Sequence, residues 1–218
     1  MSRILFRCSS VGKLMGEPKK KGEVLTDTAK AHIRQLAAEE IFGIDFTVRS
    51  REMDKGIQCE EQSIALYNSM FGKSLVKNTE RRRDEYLTGE TDLPDDGEVV
   101  DIKTAWSVAT FPISEDDISE TQRKLYEWQV RAYMRLWDRP RGRIAYCLVD
   151  TPEDLCKWED PQLHMVGHIP EHMRVTTWAY ERDVALEEAM IEKIKHAREY
   201  YALTLATFDA DHAVNTRP

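Results

Sequence analysis

No run of about 18 apolar residues occurs in the 218-residue chain, so no segment is built to span a bilayer as a helix. The opening, Met1-Ser-Arg-Ile-Leu-Phe-Arg7, is too short for a secretory signal. Export and membrane insertion are therefore not expected, and a cytoplasmic location is. Cysteine is scarce: Cys8, Cys59, Cys147 and Cys156 include no Cys-x-x-Cys pair, as expected of free thiols in a reducing compartment. The same spacing excludes an iron–sulfur cluster, which needs a closely spaced group of thiolates. There is no Gly-x-x-x-x-Gly-Lys loop, so the chain is not expected to use ATP. His164, His168 and His172 recur every fourth residue, but Gly167 and Pro170 interrupt any helix there; a polar loop is expected, not a zinc site. Repeats, low-complexity runs and Pro/Gly/Ser linkers are also missing, and residues 1–218 read as a single domain. Basic residues are outnumbered, 31 Lys+Arg against 39 Asp+Glu, so bulk charge does not coat this protein with nucleic acid. That balance is compatible with a local basic track beside an acidic metal site.

What is present is an alternation of helical and strand patterns. Ile4 to Cys8 reads as a short strand, with Ser9 or Ser10 capping a helical turn that runs to Met15. Thr26 reads as the cap of a helix to about Phe42, with Ala29, Ile33, Leu36, Ala37 and Ile41 on one face and Gly43 as its stop. A second helix is expected from about Ile57 to Phe71, ending at Gly72. Strands are expected over Glu85 to Thr88, Val99 to Lys103 and Arg143 to Val149, with a helix over Tyr126 to Trp137 between the last two. A long helix is expected from about Ala179 to Leu205. Helices around a few central strands give an α/β fold with a central mixed β-sheet flanked by α-helices.

The chemistry concentrates in Thr88-Gly-Glu-Thr-Asp92-Leu-Pro-Asp-Asp-Gly-Glu-Val-Val-Asp101-Ile-Lys103-Thr. Val99 to Lys103 alternates as a strand, which sets Asp101 and Lys103 side by side, with Val100 and Ile102 on the opposite face. Leu93 to Gly97 reads as a hairpin connection, which returns the chain so that Asp92 and Asp101 lie on adjacent strands. At about 100° per residue along the preceding helix, Glu60 falls among Ile64, Tyr67 and Phe71, while Glu61 lies toward the edge of that arc. Glu60 on such a face is a ligand, a snorkelling side chain, or a residue assigned to that face only because of where the helix is taken to begin. Carboxylates brought together without a cation raise one another's pKa, and burying them is costly. A divalent ion removes both objections, and all-oxygen ligation points to Mg²⁺ or Mn²⁺, with several waters retained. Lys103 beside the cluster is placed to orient an attacking water or to offset charge on a phosphoryl group, parts that suit phosphodiester hydrolysis. Taken alone, Asp-x-Lys in a strand is more often a surface ion pair.

Four motifs in order resemble the PD-(D/E)xK nuclease superfamily, particularly its RecB-like and λ-exonuclease (YqaJ-type) phage recombination nucleases. They are Gly56-Ile-Gln-Cys-Glu60, Thr88-Gly-Glu-Thr-Asp92, Val100-Asp101-Ile-Lys103-Thr104 and Trp128-Gln129-Val-Arg-Ala-Tyr133. The likeness covers roughly residues 54 to 152. It implies a restriction-endonuclease-like core, metal ligation by Asp92, Asp101 and the Ile102 carbonyl, with Glu60 helping directly or through water. It further implies Lys103 as the catalytic lysine and Gln129 and Tyr133 lining the site. Asp101 stands where λ-type enzymes prefer Glu, and Glu90-Thr91 where a Pro often precedes the Asp; Glu61 is a rival for the helix ligand. By the same resemblance the activity expected is a Mg²⁺-dependent exonuclease acting on DNA duplex ends or single strands in a bacterial host cell. A single-strand annealing protein is the expected partner, and the resemblance admits a ring-shaped homo-oligomer. A structure-specific or restriction-like endonuclease, or a non-catalytic DNA-binding protein on the same scaffold, are the alternatives.

An acidic protein that handles DNA needs cations concentrated where phosphates pass. Arg81, Arg82 and Arg83, just before the motif strand, are the preferred contacts, ahead of Lys19 to Lys21 and Arg139 to Arg143. Ser9 and Ser10 at a helix start are further candidates for phosphate binding. Trp106 and Trp128 either stack on bases or pack in the core.

Overall fold

The computed structural model describes residues 4–215, so Met1, Ser2 and Arg3 of the opening segment lie outside it. In chain order the main elements are β1 (Phe6–Arg7), α1 (Cys8–Val11), α2 (Asp27–Phe42), α3 (Arg51–Gln58), α4 (Glu60–Phe71), β2 (Arg82–Arg83) and β3 (Leu87–Gly89). There follow β4 (Leu93–Pro94), β5 (Glu98–Thr104), α5 (Glu120–Trp137), β6 (Arg141–Cys147), α6 (Glu153–Cys156), β7 (Val175–Glu181) and α7 (Val184–Asn215). None of the described helices is long and apolar enough to cross a membrane.

The strands form two sheets. The larger has the order β4-β5-β6-β7 and is mixed: β5 and β6 run parallel, and both outer pairs are antiparallel. The smaller has the order β1-β3-β2, with β1 parallel to β3. The expected mixed sheet flanked by helices is present, with the N-terminal strands forming a sheet of their own.

Alternation along β5 decides what each face meets. Val100 and Ile102 pack with Ile64, Leu66 and Tyr67 of α4. Val99, on the other face, packs with Ala132, Tyr133 and Met134 of α5. Asp101 and Lys103 share the Val99 face, so the two motif side chains project toward α5 from a strand covered on both sides. The α2 helix forms as its sequence requires: the Thr26 hydroxyl accepts from the Ala29 N–H at 3.0 Å, and Gly43 ends it at φ 63°. Gly72 ends α4 in the same left-handed conformation, at φ 60°.

Three expectations are corrected. The helix beginning near Ile57 starts at Arg51 and bends at Cys59, whose φ of −104° and ψ of 9° separate α3 from α4. Hydrogen bonds from Cys59 N–H to the Lys55 carbonyl and from Ser63 N–H to the Cys59 carbonyl carry the chain through the bend. Ile57 is consequently 60% exposed, while Ile64 and Tyr67 are buried. Val175 to Glu181, partly assigned to the last helix, is strand β7; its Val-Thr-Thr-Trp-Ala-Tyr composition favours a pleated edge, and α7 begins only at Val184. Ser9 and Ser10 lie inside α1 and do not cap it, and the Ser10 hydroxyl donates back to the Arg7 carbonyl at 3.2 Å.

Candidate active site

Asp101, Lys103 and two residues of α5 form one connected group. Asp101 is 2% exposed. Its Oδ1 accepts from Gln129 Nε2 at 2.7 Å, and the Lys103 ammonium stands 2.6 Å from its Oδ2. Lys103 Nζ also donates to Gln129 Oε1 at 3.4 Å, and Gln129 Nε2 reaches the Tyr133 hydroxyl at 3.3 Å. Gln129 and Tyr133 are one helical turn apart, so both look at β5 from the same side of α5.

Asp92 arrives by the hairpin. Leu93 pairs with Val100, so Asp92 lies beside the Asp101-Ile102 step, and its Oδ2 accepts from the Ile102 N–H at 2.7 Å. In a strand the N–H and C=O of one residue point to the same edge, so the Ile102 carbonyl faces the side on which Asp92 stands. The approach is fixed from behind by two residues. The buried Thr91 donates its hydroxyl to the Val100 carbonyl at 3.2 Å, and Asn78 Nδ2 donates to the Thr91 carbonyl at 2.9 Å. The Asn78 N–H also donates to the Asp92 carbonyl at 2.9 Å.

A cavity of about 280 Å³ opens beside Asp92, walled by Glu60, Lys77, Arg81, Ser9 and Tyr133 among others. Glu60 faces it from the start of α4, ion-paired with Lys77. Glu61 is exposed and does not line it, which separates the two rival helix carboxylates. Gly89 belongs to the same wall: a side chain there would come within 2.5 Å of Cys8 Sγ and 2.9 Å of Tyr133 Cε1. Burial, then the like charge of Asp101, hold the Asp92 carboxyl well above the usual range, against the pull of Lys103 and the Ile102 N–H. Burial works against the Lys103 ammonium, but the charge and contact of Asp101 outweigh it and raise its pKa.

The donor set fits a hard cation in part. Asp101 Oδ2 is buried and faces the Lys103 ammonium at 2.6 Å. The buried Asp101 carboxylate beside the half-buried Asp92 carboxylate suits an ion that takes one or two carboxylates and keeps its waters. Among the described residues, however, no three His, Cys, Asp or Glu side chains gather closely enough to hold a metal. The expected convergence of three carboxylates is thus the Asp92–Asp101 pair, with Glu60 on the cavity wall and engaged by Lys77.

The remaining expected residues are dispersed. Arg81 lines the cavity and pairs with Glu90 at 3.2 Å. Arg82 lies over the Trp137 ring and bonds Glu80, and Arg83 is exposed on β2, so neither lines the cavity. Ser9 lines the cavity, whereas Ser10 is turned to Arg7. Trp106 is packed, its indole N–H bonded to Glu159. Trp128 packs against the core. His164 is buried between Thr151 and Glu159, away from the exposed His168 and His172. Sequence reasoning missed Lys77 and Asn78. Asn-Thr after a run of Lys and Val reads as ordinary turn chemistry, and only the fold shows what it holds.

No protein-family model and no curated protein matches the chain. Solved structures do. A phage-related exonuclease from Haemophilus somnus 129PT superposes with a TM-score of 0.88 at 34% identity, over 95% of this chain and 97% of that one. An alkaline exonuclease from Laribacter hongkongensis, LHK-Exo, superposes at 0.71 with 12% identity over 97% and 95%, and its complex with dAMP at 0.70 with 13% identity over the same shares. The last two show a shared fold; the first, similar along nearly its whole length, joins the four ordered motifs in placing this chain in the λ-exonuclease-like, phage-related exonuclease family of the PD-(D/E)xK nucleases.

Proposed function

We propose that the protein is a Mg²⁺-dependent deoxyribonuclease that degrades DNA from duplex ends. The observation that carries this reading is the Asp92–Asp101 pair, with Asp101 buried and Lys103 at 2.6 Å from it, on a fold shared with a phage-related exonuclease. Asp92, Asp101 and the Ile102 carbonyl would hold the divalent ion, Mg²⁺ or Mn²⁺, with Glu60 joining directly or through water. The chemistry supplied by such an ion is polarisation of a phosphoryl oxygen and acidification of a water.

The chain's own residues supply the rest. Gln129 holds one Asp101 oxygen, and the Lys103 ammonium holds the other at 2.6 Å. Lys103 carries a fixed positive charge to the place where the phosphoryl oxygens gain negative charge, and it orients the attacking water by donating to it. Water oxygen bonds to phosphorus in line as the bond to the 3′ oxygen breaks; the water gives up a proton to solvent and the 3′ oxygen takes one from solvent, leaving a 5′-phosphate and a 3′-hydroxyl. Tyr133 and Gly89 form a close wall beside Asp92, and Arg81, at its rim, offers a cation to the backbone of the entering strand. Ser9 contributes a hydroxyl to the same wall.

Action on DNA ends is supported by the relatives, one a phage-related exonuclease and another, LHK-Exo, known with dAMP bound; the duplex as substrate is what the family resemblance implies. Exposing single strands for an annealing protein, within a bacterial cell, is the role this activity would serve. The test is degradation of end-labelled linear duplex against covalently closed circular duplex, each with Mg²⁺ or with EDTA. Loss of the linear substrate alone, only with Mg²⁺, is the expected result. Cutting of the closed circle would make the protein an endonuclease, and no cleavage of either would leave a binding protein on the nuclease scaffold.

A further inference from the structure

Lys103 has one side that the acidic group does not occupy. Its Nζ meets Asp101 Oδ2 at 2.6 Å and Gln129 Oε1 at 3.4 Å, and it also lies 4.9 Å from the centroid of the Tyr126 ring. Tyr126 is three residues before Gln129 on α5, so the two side chains project from neighbouring positions of one helix face. The ring is itself held. Its hydroxyl shares a 2.8 Å hydrogen bond with the hydroxyl of Tyr146, the residue directly across from Lys103 in the β5–β6 pairing. Tyr146 in turn stacks on Trp178 of β7 at 5.8 Å between centroids. A continuous aromatic buttress therefore runs from β7 through β6 to α5 and ends against the ammonium.

The geometry points to Tyr126 as a positioning residue for Lys103, acting through the face of its ring; the inference rests on the nuclease reading of the Asp92–Asp101–Lys103 cluster. A lysine stem has many rotamers, and an ammonium open to water leaves its ion pair readily. An aromatic face attracts the cation but offers no oxygen to compete with Asp101 or with a phosphate. It closes the space behind Nζ and keeps the charge at the strand end where the phosphoryl group would lie. The Tyr126 hydroxyl serves only to hold the ring against Tyr146. The attraction depends on ring electrons, which separates it from plain packing.

Fluorination provides the test, since it drains the ring face while nearly keeping its size. With Tyr126→Phe as reference, mono-, di- and trifluorinated phenylalanine are placed at position 126 and the rate of linear-duplex degradation is measured in Mg²⁺. The expected result is a stepwise fall in kcat, roughly tenfold by the trifluorinated ring, with KM for DNA unchanged. Tyr126→Leu falls at least as far. A flat fluorination series, or a Leu variant as fast as the Phe reference, overturns the inference while leaving the nuclease reading intact. A wild-type protein that cleaves no DNA in Mg²⁺ overturns both.

Discussion

Asp92 Oδ2 accepts the Ile102 N–H at 2.7 Å, so the carboxylate brought by the hairpin is fastened to the middle residue of Asp101-Ile102-Lys103. That bond sets the spacing of the two aspartates, because Ile102 cannot move without carrying both Asp101 and Lys103. It also leaves the other Asp92 oxygen free for a ligand. The arrangement has a cost: two close like charges, Asp101 buried and Asp92 half-buried, share a single lysine.

Removing one of those charges should stabilise the protein and disable it. Asp92→Asn keeps an oxygen for the Ile102 N–H but ends the repulsion with Asp101 that holds the Asp92 pKa up. In EDTA, its unfolding free energy should exceed that of wild type by about 1 kcal/mol, with DNA degradation lost. A fall in stability, read by urea unfolding, would contradict the account of this pair.

Gly89 is where the wall of the cavity has no room for a side chain. In Gly89→Ala the new methyl meets Cys8 Sγ and Tyr133 Cε1 inside contact distance, which should cost about 1–3 kcal/mol and displace Tyr133. Adding Cys8→Ala makes space and should recover much of the melting temperature. If the double variant melts no higher than Gly89→Ala, the clash lies elsewhere.

Lys55 is fully buried and bonds the carbonyls of Ala105 at 2.7 Å, Trp106 at 2.9 Å and Val149 at 2.9 Å. It thereby ties α3 to the segments that leave β5 and β6. Lys55→Met fills the space but leaves the Ala105 and Val149 carbonyls without a donor, while the Trp106 carbonyl keeps the Thr151 hydroxyl at 3.0 Å, for a loss of about 2 kcal/mol or more. Chemical denaturation measures it directly; a variant as stable as wild type would mean that water or backbone rearrangement replaces the ammonium.

His32 lies buried in α2 with neither ring nitrogen hydrogen-bonded, and burial lowers its pKa to about 4. The unfolded chain therefore binds this proton more tightly than the folded one. The stability present above the ordinary histidine pKa is lost as pH falls below it toward about 4, by about 3 kcal/mol. His32→Leu should flatten that acid limb when melting temperature is followed between about pH 7 and about pH 4.5. An unchanged acid limb would assign it to other groups.

Local patterns were legible where local chemistry sets the structure. Thr26 and Gly43 bracket α2 because a hydroxyl cap and a left-handed glycine act within a few residues. The Asp101–Lys103 face and the return of Asp92 follow from period-two alternation and a hairpin, and both stand in the fold. The bend at Cys59 was hidden because no Pro or Gly marks it, and it turned Ile57 outward. Strand β7 was hidden because Ala179 and Tyr180 also fit the start of an apolar helical stripe. Lys55, Lys77, Asn78 and Tyr126 owe their positions to partners roughly 10 to 90 residues away, which no local pattern reveals.

The most direct measurement is the initial rate of nucleotide release from a linear duplex in Mg²⁺ by Lys103→Met and Asp101→Asn beside wild type. Both variants should fold, and each should lose at least about 100-fold in rate. A rate within about twofold of wild type in either folded variant would contradict the placement of catalysis at this pair.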